Sequence, residues 1–459
     1  MVDVTPFLPG LSPVQGKAVV ARFDGGRLSS EGGLLALREI ETRLGLADRL
    51  AACVKDPRAP ERVVHRLAEI IRFRMLMIAA GYEDGNDADS LRADAMFKLA
   101  LDRLPSDGEL CSQSVLGLDP GISRLENLPD TRALLRLGRA LIEQYCTSFR
   151  QMPKRIVLDV DDTFDRVHGG QQLRLFNAFH DDYGFQPIVV FKPVPAKAGG
   201  EGRFVTALLR PGKRPGGHEI RAFLRRLVGA IRAFWPRVEI LLRADSHYAC
   251  PEVFDWCREN RVDWLLGLAP NAALRRHVEA LEKTTAERFT AAPARGKVRR
   301  FAQFHDAARS WSRVERIIAR VEAGAEGTDT RFIVTNLEGG RAKLIYERLY
   351  CARGQAENHI KAWKNHLAAD RTSCHEATAN QFRLFLHAGS YWLLWSMRRL
   401  MPKGSAWRVM QFDTLRLRLI KIAARVVELK KQIKIHLPSM TPDQAIFGII
   451  LNRLPRLVT

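Results

Sequence analysis

The sequence lacks the paired cysteines of a zinc ribbon or a disulfide framework. Its seven cysteines are an odd number, and none of them forms a C-x-x-C pair. This pattern indicates a reduced, intracellular protein whose cysteines are small apolar residues of the interior. Internal repeats and low-complexity segments are also missing from the sequence.

Long apolar runs are absent as well. No stretch reaches the roughly 18 residues of a membrane span, and the best candidate, Phe382–Met397, contains Arg383 and His387. The first ten residues have neither a basic start nor an apolar core, so we expect no signal peptide. These observations favour a cytoplasmic protein.

Positive charge is the strongest property that the sequence does have. It carries 72 Lys and Arg against 51 Asp and Glu, a net charge of +21. An excess of this size favours a polyanionic partner, namely DNA, RNA or, as the weaker choice, an anionic membrane. With 459 residues and 46% hydrophobic residues, the chain is long enough for a well-packed core and several structural units.

The first 150 residues predict an arm followed by helices. Residues 1–30 contain prolines and glycines with one short alternating run. Beyond them, apolar residues at helical spacing predict helices over Leu34–Ile40, Val63–Ile78, Leu91–Leu104 and Thr131–Phe149, the last capped by Asp130. Four arginines in the segment Glu61–Arg74 (Arg62, Arg66, Arg72 and Arg74) form either a solvated face or a DNA-contacting face.

The middle of the chain predicts an α/β domain. Apolar, β-branched runs predict strands over Lys154–Val160, Gln186–Pro193, Arg203–Leu209, Val238–Ala244, Val262–Leu268 and Arg331–Asn336. Helices are predicted over His218–Trp235 and Pro251–Asn260. Residues 269–330 are basic and turn-rich, with a strand at Val314–Val321, and are interpreted as an insertion. Further helices are expected over Asn380–Leu400, Thr414–Leu429 and Thr441–Leu451.

Residues 349–367 predict one helix with two distinct faces. An apolar face for core packing is formed by Leu349, Ala352, Ala356, Ile360, Trp363 and Leu367. The other face spans an arc of roughly 80° and holds Tyr350, Arg353, Glu357, Lys361 and Lys364. One carboxylate among basic groups is expected where the acid holds a metal ion and the bases hold phosphate.

Acidic residues at the ends of predicted strands supply the rest of a candidate site. Asp159 and Asp161 are two apart on one strand and so project from the same face, whereas Asp162 points the other way. Asp245 ends a second strand, and Glu357 lies on the helix. Three such carboxylates can hold two divalent ions about 4 Å apart, which would clamp the attacking and leaving oxygens of a phosphodiester displacement. Mg²⁺ suits an all-oxygen ligand set.

Together these motifs resemble a known family. The run Tyr350-x2-Arg353-x3-Glu357-x6-Lys364 matches the Y-R-E-K pattern of the DDE transposases of bacterial insertion sequences. The runs LDVDDTFDRVHGGQQLRLFNAF, RADSHYACPE and ADRTSCHEATANQFRL resemble the insertion-sequence-1380 branch of that group. The resemblance covers roughly residues 30–400. Between Ser112 and Asn127 the chain departs from it, because the family is usually more compact there.

The resemblance implies a fold and an activity. It implies an RNase H-like catalytic domain with a β-rich insertion, flanked by N- and C-terminal helical regions. It also implies DNA cleavage and strand joining at the terminal inverted repeats, insertion into target DNA, a homodimeric synaptic complex, and two Mg²⁺ ions for which Mn²⁺ can substitute. Such an enzyme would work in the cytoplasm at the nucleoid. The predicted units are 1–150 (arm and helical DNA-binding region), 151–268 and 331–400 (catalytic domain), 269–330 (insertion) and 401–459 (helical region).

The resemblance also assigns roles to individual residues. Asp161, Asp245 and Glu357 would be catalytic and bind the metal ions, with Asp159 as a further candidate for the first carboxylate. Tyr350, Arg353, Lys361 and Lys364 would contact DNA.

Other interpretations of the same residues stay open. LDVDDT also fits the D-x-D-x-T motif of haloacid-dehalogenase-type phosphatases, in which Asp159 would be the nucleophile and Asp161 the acid–base. A catalytically silent, transposase-derived DNA-binding regulator is the non-enzymatic alternative. Weaker candidates are loop or core residues that can also be given a role: His168 and His247 as ligands or proton shuttles, Trp311 as a stacking platform for a flipped base, and Lys213 and His218 as phosphate contacts.

Overall fold

A computed structural model describes residues 8, 10–113, 122–193, 202–293 and 296–457 of the chain. The expected departure between Ser112 and Asn127 falls largely on residues 114–121, outside the described residues. None of the helices within the described ranges is long and apolar enough to cross a membrane.

Strands and helices alternate along the middle of the chain, as expected. The strands are β1 (Leu28–Ser29), β2 (Arg155–Asp162), β3 (Asp165–Arg166), β4 (Leu175–Asn177), β5 (Asp182–Phe185), β6 (Ile188–Lys192), β7 (Arg203–Leu208), β8 (Glu239–Ala244), β9 (Val262–Leu268), β10 (Val298–Asp306), β11 (Glu315–Gly324), β12 (Gly327–Thr335), β13 (Ala424–Glu428) and β14 (Ile433–His436). The helices are α1 (Leu34–Leu44), α2 (Leu46–Ala51), α3 (Leu67–Ala80), α4 (Asp87–Leu91), α5 (Ala95–Ala100), α6 (Ile122–Asn127), α7 (Thr131–Thr147), α8 (Gly217–Phe234), α9 (Pro251–Glu259), α10 (Ala272–Arg276), α11 (Glu279–Ala291), α12 (Ala342–Leu344), α13 (Gln355–Lys364), α14 (Ala377–Leu400), α15 (Phe412–Leu415) and α16 (Gln444–Arg453).

A mixed sheet forms the centre of the molecule. In the described part of the chain it has eight strands in the order β10-β11-β12-β9-β8-β2-β6-β7. The pairs β2–β8 and β8–β9 are parallel, and the remaining pairs are antiparallel. The segment expected to be an insertion begins with two helices, α10 and α11, and its strands then extend the central sheet.

The two faces of this sheet pack against different clusters. Because side chains alternate along a strand, Ile240 and Leu242 of β8 enter the main core while Leu241 enters a smaller cluster on the opposite face. Ile345 and Tyr346 belong to the smaller cluster, whereas α13 packs Trp363 into the main core. The chain therefore passes from one face of the sheet to the other between residues 346 and 363.

Helix α14 is the centre of the helical part. Nearly all of its residues are buried, and it packs against α3, α7, β7 and α1. Its Arg383 and His387, which argued against a membrane span, are both buried. Asp130 caps α7 as predicted, since its carboxylate accepts a hydrogen bond from the amide of Ala133 at 2.6 Å.

Two expectations for the flanking regions are wrong. The helix predicted over residues 414–429 ends at Ile420, and β13 follows it as the central strand of a small sheet, between β1 and β14. Arg74 is fully buried and donates hydrogen bonds to the carbonyls of residues 82–84, so it cannot belong to a DNA-contacting face. Arg72 is paired with Glu41 and Asp48.

Candidate active site

The site begins with two aspartates at the ends of adjacent parallel strands. Strand β2 pairs in parallel with β8, and Asp159 is the register partner of Arg243. Two residues further along the chain, Asp161 of β2 and Asp245, which directly follows β8, reach the same edge of the sheet. The carboxyl ends of parallel strands in an open sheet are the usual place for a ligand site. Two carboxylates that are far apart in sequence are thereby brought side by side.

Arg353 bridges these two carboxylates. Its Nη1 donates to Asp161 Oδ2 at 2.9 Å, and its Nη2 donates to Asp245 Oδ1. Burial raises the pKa of Asp161 to about 6, the guanidinium of Arg353 opposes that rise, and the neighbouring Asp245 adds to it. The two aspartates together raise the pKa of Arg353, against the effect of its burial. A single cation thus compensates a partly buried acidic pair.

The segment that carries Arg353 is helical but irregular. It is π-helical over Ile345–Tyr350 and 3-10 helical over Cys351–Gly354, and it becomes α13 only at Gln355. The single regular helix predicted over residues 349–367 is therefore wrong in its first part. These changes in helix type occur in the stretch that passes from one face of the sheet to the other. Arg243 holds this irregular segment in place by donating a hydrogen bond to the carbonyl of Leu349.

Tyr350 lies near the end of β8, beside Asp245. Burial raises its pKa, while Arg353 acts in the opposite direction. A side chain at Gly267 of β9 would meet the Tyr350 hydroxyl at 2.8 Å and the Ser246 amide nitrogen at 2.9 Å. A glycine is needed here because the phenol approaches the backbone beside Asp245 closely.

Glu357 does not join the two aspartates in this conformation. It is exposed in the first turn of α13, one helical turn beyond Arg353. Within the described ranges, no group of three or more His, Cys, Asp or Glu side chains could hold a metal ion. The expected three-carboxylate cluster is thus not assembled, because the guanidinium of Arg353 lies between the aspartates and α13 directs Glu357 toward solvent.

The lysines of α13 have different surroundings. Lys361 is exposed. Lys364 donates to Thr163 Oγ1 at 3.2 Å and to the carbonyl of Phe164, and its Nζ lies 3.2 Å from Asp165 Oδ1. Asp165 is buried, and this burial raises its pKa to about 7. Lys364 therefore ties α13 to the segment that follows the strand of Asp161.

Asp159 is enclosed and serves the fold. Asp159 is 1% exposed, and Arg243 donates hydrogen bonds to its two carboxylate oxygens at 2.6 and 2.8 Å. These contacts favour a structural role for Asp159 over a catalytic one. They also argue against the phosphatase interpretation, in which Asp159 would be the nucleophile.

Asp162 organises a polar group that the sequence did not reveal. It accepts a hydrogen bond from the hydroxyl of Tyr248 and one from Gln186 Nε2 at 3.3 Å, and His247 Nε2 lies 2.9 Å from it. Burial and the neighbouring Asp162 carboxylate raise the pKa of Tyr248 well above its usual value. The group joins β2 to the short helical turn after Asp245. The sequence signal that could have indicated this group is the run Ser246-His247-Tyr248, which directly follows Asp245.

Of the weaker candidates, His247 lies in the group around Asp162, Trp311 is packed, and the other three are exposed. Trp311 packs edge-on against Phe254, with ring centroids 5.2 Å apart, which supports a core role. His168 and Lys213 are exposed. His218 is exposed too, with its Nε2 3.9 Å from Glu252.

The residues present partly fit a divalent cation. Asp161 and Asp245 offer hard oxygen ligands, which Mg²⁺ prefers. Both carboxylates already contact one cation, the guanidinium of Arg353. A metal ion between them would have to replace the guanidinium of Arg353. Glu357 would have to move to complete the ligand set.

These features define an α/β protein with an acidic site where two parallel strands of its sheet end. The chain belongs to the DDE transposases, because the family model described as "Transposase DDE domain group 1" matches residues 11–459. Proteins of this family generally use divalent metal ions, and the family implies DNA binding. A comparison with curated proteins finds no match.

Proposed function

We propose that this chain is a transposase that cleaves DNA at the ends of its element and joins the freed strands to target DNA. Asp161 and Asp245 are the observation that carries the proposal. They lie together at the ends of two parallel strands, in a chain of net charge +21. The strand order β7-β6-β2-β8-β9, with three antiparallel strands followed by two parallel ones, supports an RNase H-like catalytic domain.

The finer family assignment is part of the proposal. Tyr350, Arg353, Glu357 and Lys364 keep the spacing of the Y-R-E-K group, and the other motifs favour its insertion-sequence-1380 branch. The proposed partners are the terminal inverted repeats and target DNA, bound by a homodimer in the cytoplasm at the nucleoid. The proposed boundaries of the arm, catalytic domain, insertion and C-terminal region stay as given above.

Asp161, Asp245 and Glu357 are proposed to hold two Mg²⁺ ions, or Mn²⁺ in their place. When bound, such ions would stabilise the negative charge on the attacking and leaving oxygens of a phosphodiester displacement. The chain's own part is to bring the two aspartates together, to keep them partly buried, and to place Arg353 beside them. We propose that DNA phosphate draws Arg353 away from the aspartates and that Glu357 then turns toward them. Tyr350, Lys361 and Lys364 are proposed to contact the DNA backbone on the same side.

A cleavage assay tests this function. The substrate is a duplex that carries the inverted repeats flanking the reading frame, incubated with Mg²⁺. We expect Asp161→Asn, Asp245→Asn and Glu357→Gln each to abolish cutting while DNA binding survives. Glu279→Gln, at an exposed position of α11, is the matched control and should cut normally. Any of the three site variants cutting at the parental rate would remove that residue from the proposed site.

The exposed position of Glu357 favours one alternative. A chain that never assembles three carboxylates would be a transposase-derived regulator that binds DNA without cutting it. Tight, specific binding to the end duplex with no nicking in Mg²⁺ or Mn²⁺ would establish that alternative. The phosphatase interpretation has no such support, because Asp159 is enclosed by Arg243.

A further inference from the structure

A group of exposed aromatic side chains follows directly after the strand of Asp161. Strands β3, β5 and β4 form a small sheet over residues 165–185. The tip of its β4–β5 hairpin carries Phe179, which is 89% exposed. Phe176 and Tyr183, on the paired strands, are 49% and 46% exposed. Exposed apolar groups that lie together usually mark a binding surface. We call Phe164, Phe176, Phe179, His180 and Tyr183 the aromatic hairpin.

The rings of the aromatic hairpin form a row that leads back to the acidic pair. Phe179 meets His180 edge-on at 5.0 Å between ring centroids. His180 in turn stacks on Phe164 at 4.2 Å and an angle of 12°. Phe164 is three residues beyond Asp161, and its carbonyl accepts a hydrogen bond from Lys364. The row therefore starts beside the proposed cutting site and ends in solvent.

Hydrogen bonds hold the hairpin tip in place. Asn177 Oδ1 accepts from the amide of Phe179 at 3.0 Å, which shapes the turn. Asn177 Nδ2 donates to Gln186 Oε1 at 3.2 Å, and Gln186 Nε2 donates to Asp162 Oδ2 at 3.3 Å. The tip is thus connected to the residue next to Asp161. Its exposure belongs to an ordered turn, which suits a surface prepared for a ligand.

The chemistry of this surface selects a flat, uncharged ligand. Arg166 is paired with Asp182 at 2.5 Å, and the guanidinium carbon of Arg174 lies 4.9 Å from the centroid of the Tyr183 ring. Arg166 and Arg174 are matched in number by Asp181 and Asp182, so the side chains of the hairpin itself carry little net charge. Aromatic side chains bind nucleobases by stacking, with little preference among the bases.

We propose that the aromatic hairpin binds an unpaired nucleobase next to the phosphate that is cut. This inference rests on the proposed function for its location and goes beyond it by assigning a base-binding surface outside the acidic pair. It also gives the stacking role considered for Trp311 to a different element, because Trp311 is packed against Phe254.

The test compares two DNA probes without divalent ions, so that no cutting is needed. One is a fully paired duplex, and the other has the same sequence with a short unpaired flap that carries 5-iodouracil. We expect the parental protein to prefer the flapped probe roughly tenfold, as one stacked base provides. Light-induced cross-links should map to Phe179 or His180.

Variants separate stacking from general binding. Phe179→Ala should lose the preference for the flap and leave binding of the paired duplex unchanged, whereas Phe179→Trp should keep it. Met440→Ala is the matched control, because Met440 is also 89% exposed and lies in another part of the chain.

Three results would overturn the inference. They are an unchanged flap preference in Phe179→Ala, cross-links confined to other elements, or a change in oligomeric mass in Phe179→Ala, which would make the hairpin a contact between protein copies. A protein that keeps the flap preference but cuts no DNA under any condition would instead remove the proposed function alone.

Discussion

Arg353 lies between Asp161 and Asp245 in the place where a divalent cation would have to bind, with its Nη1 2.9 Å from Asp161 Oδ2. The guanidinium and a metal ion therefore compete for the same two carboxylates. Anything that withdraws Arg353, such as the phosphate of bound DNA, would favour metal binding. By thermodynamic reciprocity, bound metal would then favour DNA binding to the same degree.

The first prediction follows from this competition. Arg353→Gln should increase the affinity of the DNA-free protein for Mn²⁺, on the order of tenfold, because the competing cation is gone and the two aspartates are left without compensation. Titration calorimetry measures the affinity, and the rise in melting temperature on adding Mn²⁺ gives a second readout. Arg348→Gln, at an exposed position nearby, is the control. Equal or weaker Mn²⁺ binding in Arg353→Gln would refute the competition.

The second prediction separates the two lysines of α13. Replacing either lysine with alanine should weaken DNA binding and reduce the slope of log K against log salt by about one, because one phosphate contact is lost. Only Lys364→Ala should also lower the free energy of unfolding, by roughly 3 kcal/mol, since it leaves the buried Asp165 without its cation. Salt titrations and urea unfolding measure the two effects.

The double variant Lys364→Ala/Asp165→Asn is the control for the second prediction. It should recover most of the lost stability, because no uncompensated acid remains in the interior. A salt slope that stays unchanged in Lys364→Ala would remove Lys364 from the DNA interface and leave it a purely structural role.

The third prediction concerns the pH dependence of stability. His387 is buried, and its burial, together with Arg74 and Arg383, holds its pKa well below the usual value. Below about pH 6.5 the unfolded chain takes up a proton that the folded chain does not. As the pH is lowered below this value, the contribution of His387 should therefore decrease the free energy of unfolding by about 1.4 kcal/mol per pH unit.

His387→Gln removes this contribution, and its amide can still donate to the carbonyl of Leu367, which the ring nitrogen contacts at 2.7 Å. Urea unfolding at a series of pH values should give a shallower acid loss in this variant than in the parent. His375→Gln, whose side chain is 71% exposed, should behave like the parent. Identical acid slopes in the parent and His387→Gln would contradict the assignment.

Much of the fold could be predicted from local patterns. The strands around Asp161 and Asp245 are continuous apolar runs because both faces of the sheet are covered, and such runs are easily recognised. Helix α14 and the cap at Asp130 follow from periodicity and side-chain chemistry alone. The failure at residues 414–429 arises from strand pairing, because β13 pairs with β14 on one edge and, on the other, with β1, which lies some 400 residues away along the chain.

The site was only half predictable for a similar reason. The helical projection of residues 349–367 assumed a constant turn per residue, and the π and 3-10 turns before Gln355 break that assumption. Nothing local in the sequence shows that this stretch must pass around the end of a sheet. The projection therefore placed Glu357 with Arg353, whereas the structure separates the roles of the two residues.

By itself, the sequence determined the basic charge, the alternation of strands and helices, and the spacing of the acids, because these depend on composition and on neighbours along the chain. Tertiary structure alone decided which side chains each acid contacts. Asp159 and Asp161 are nearly equivalent along β2, yet parallel pairing with β8 gives the first to Arg243, while the crossing helical segment gives the second to Arg353. Burial and ion pairing arise between distant segments, and they separate the carboxylate enclosed by Arg243 from the one that Arg353 bridges to Asp245.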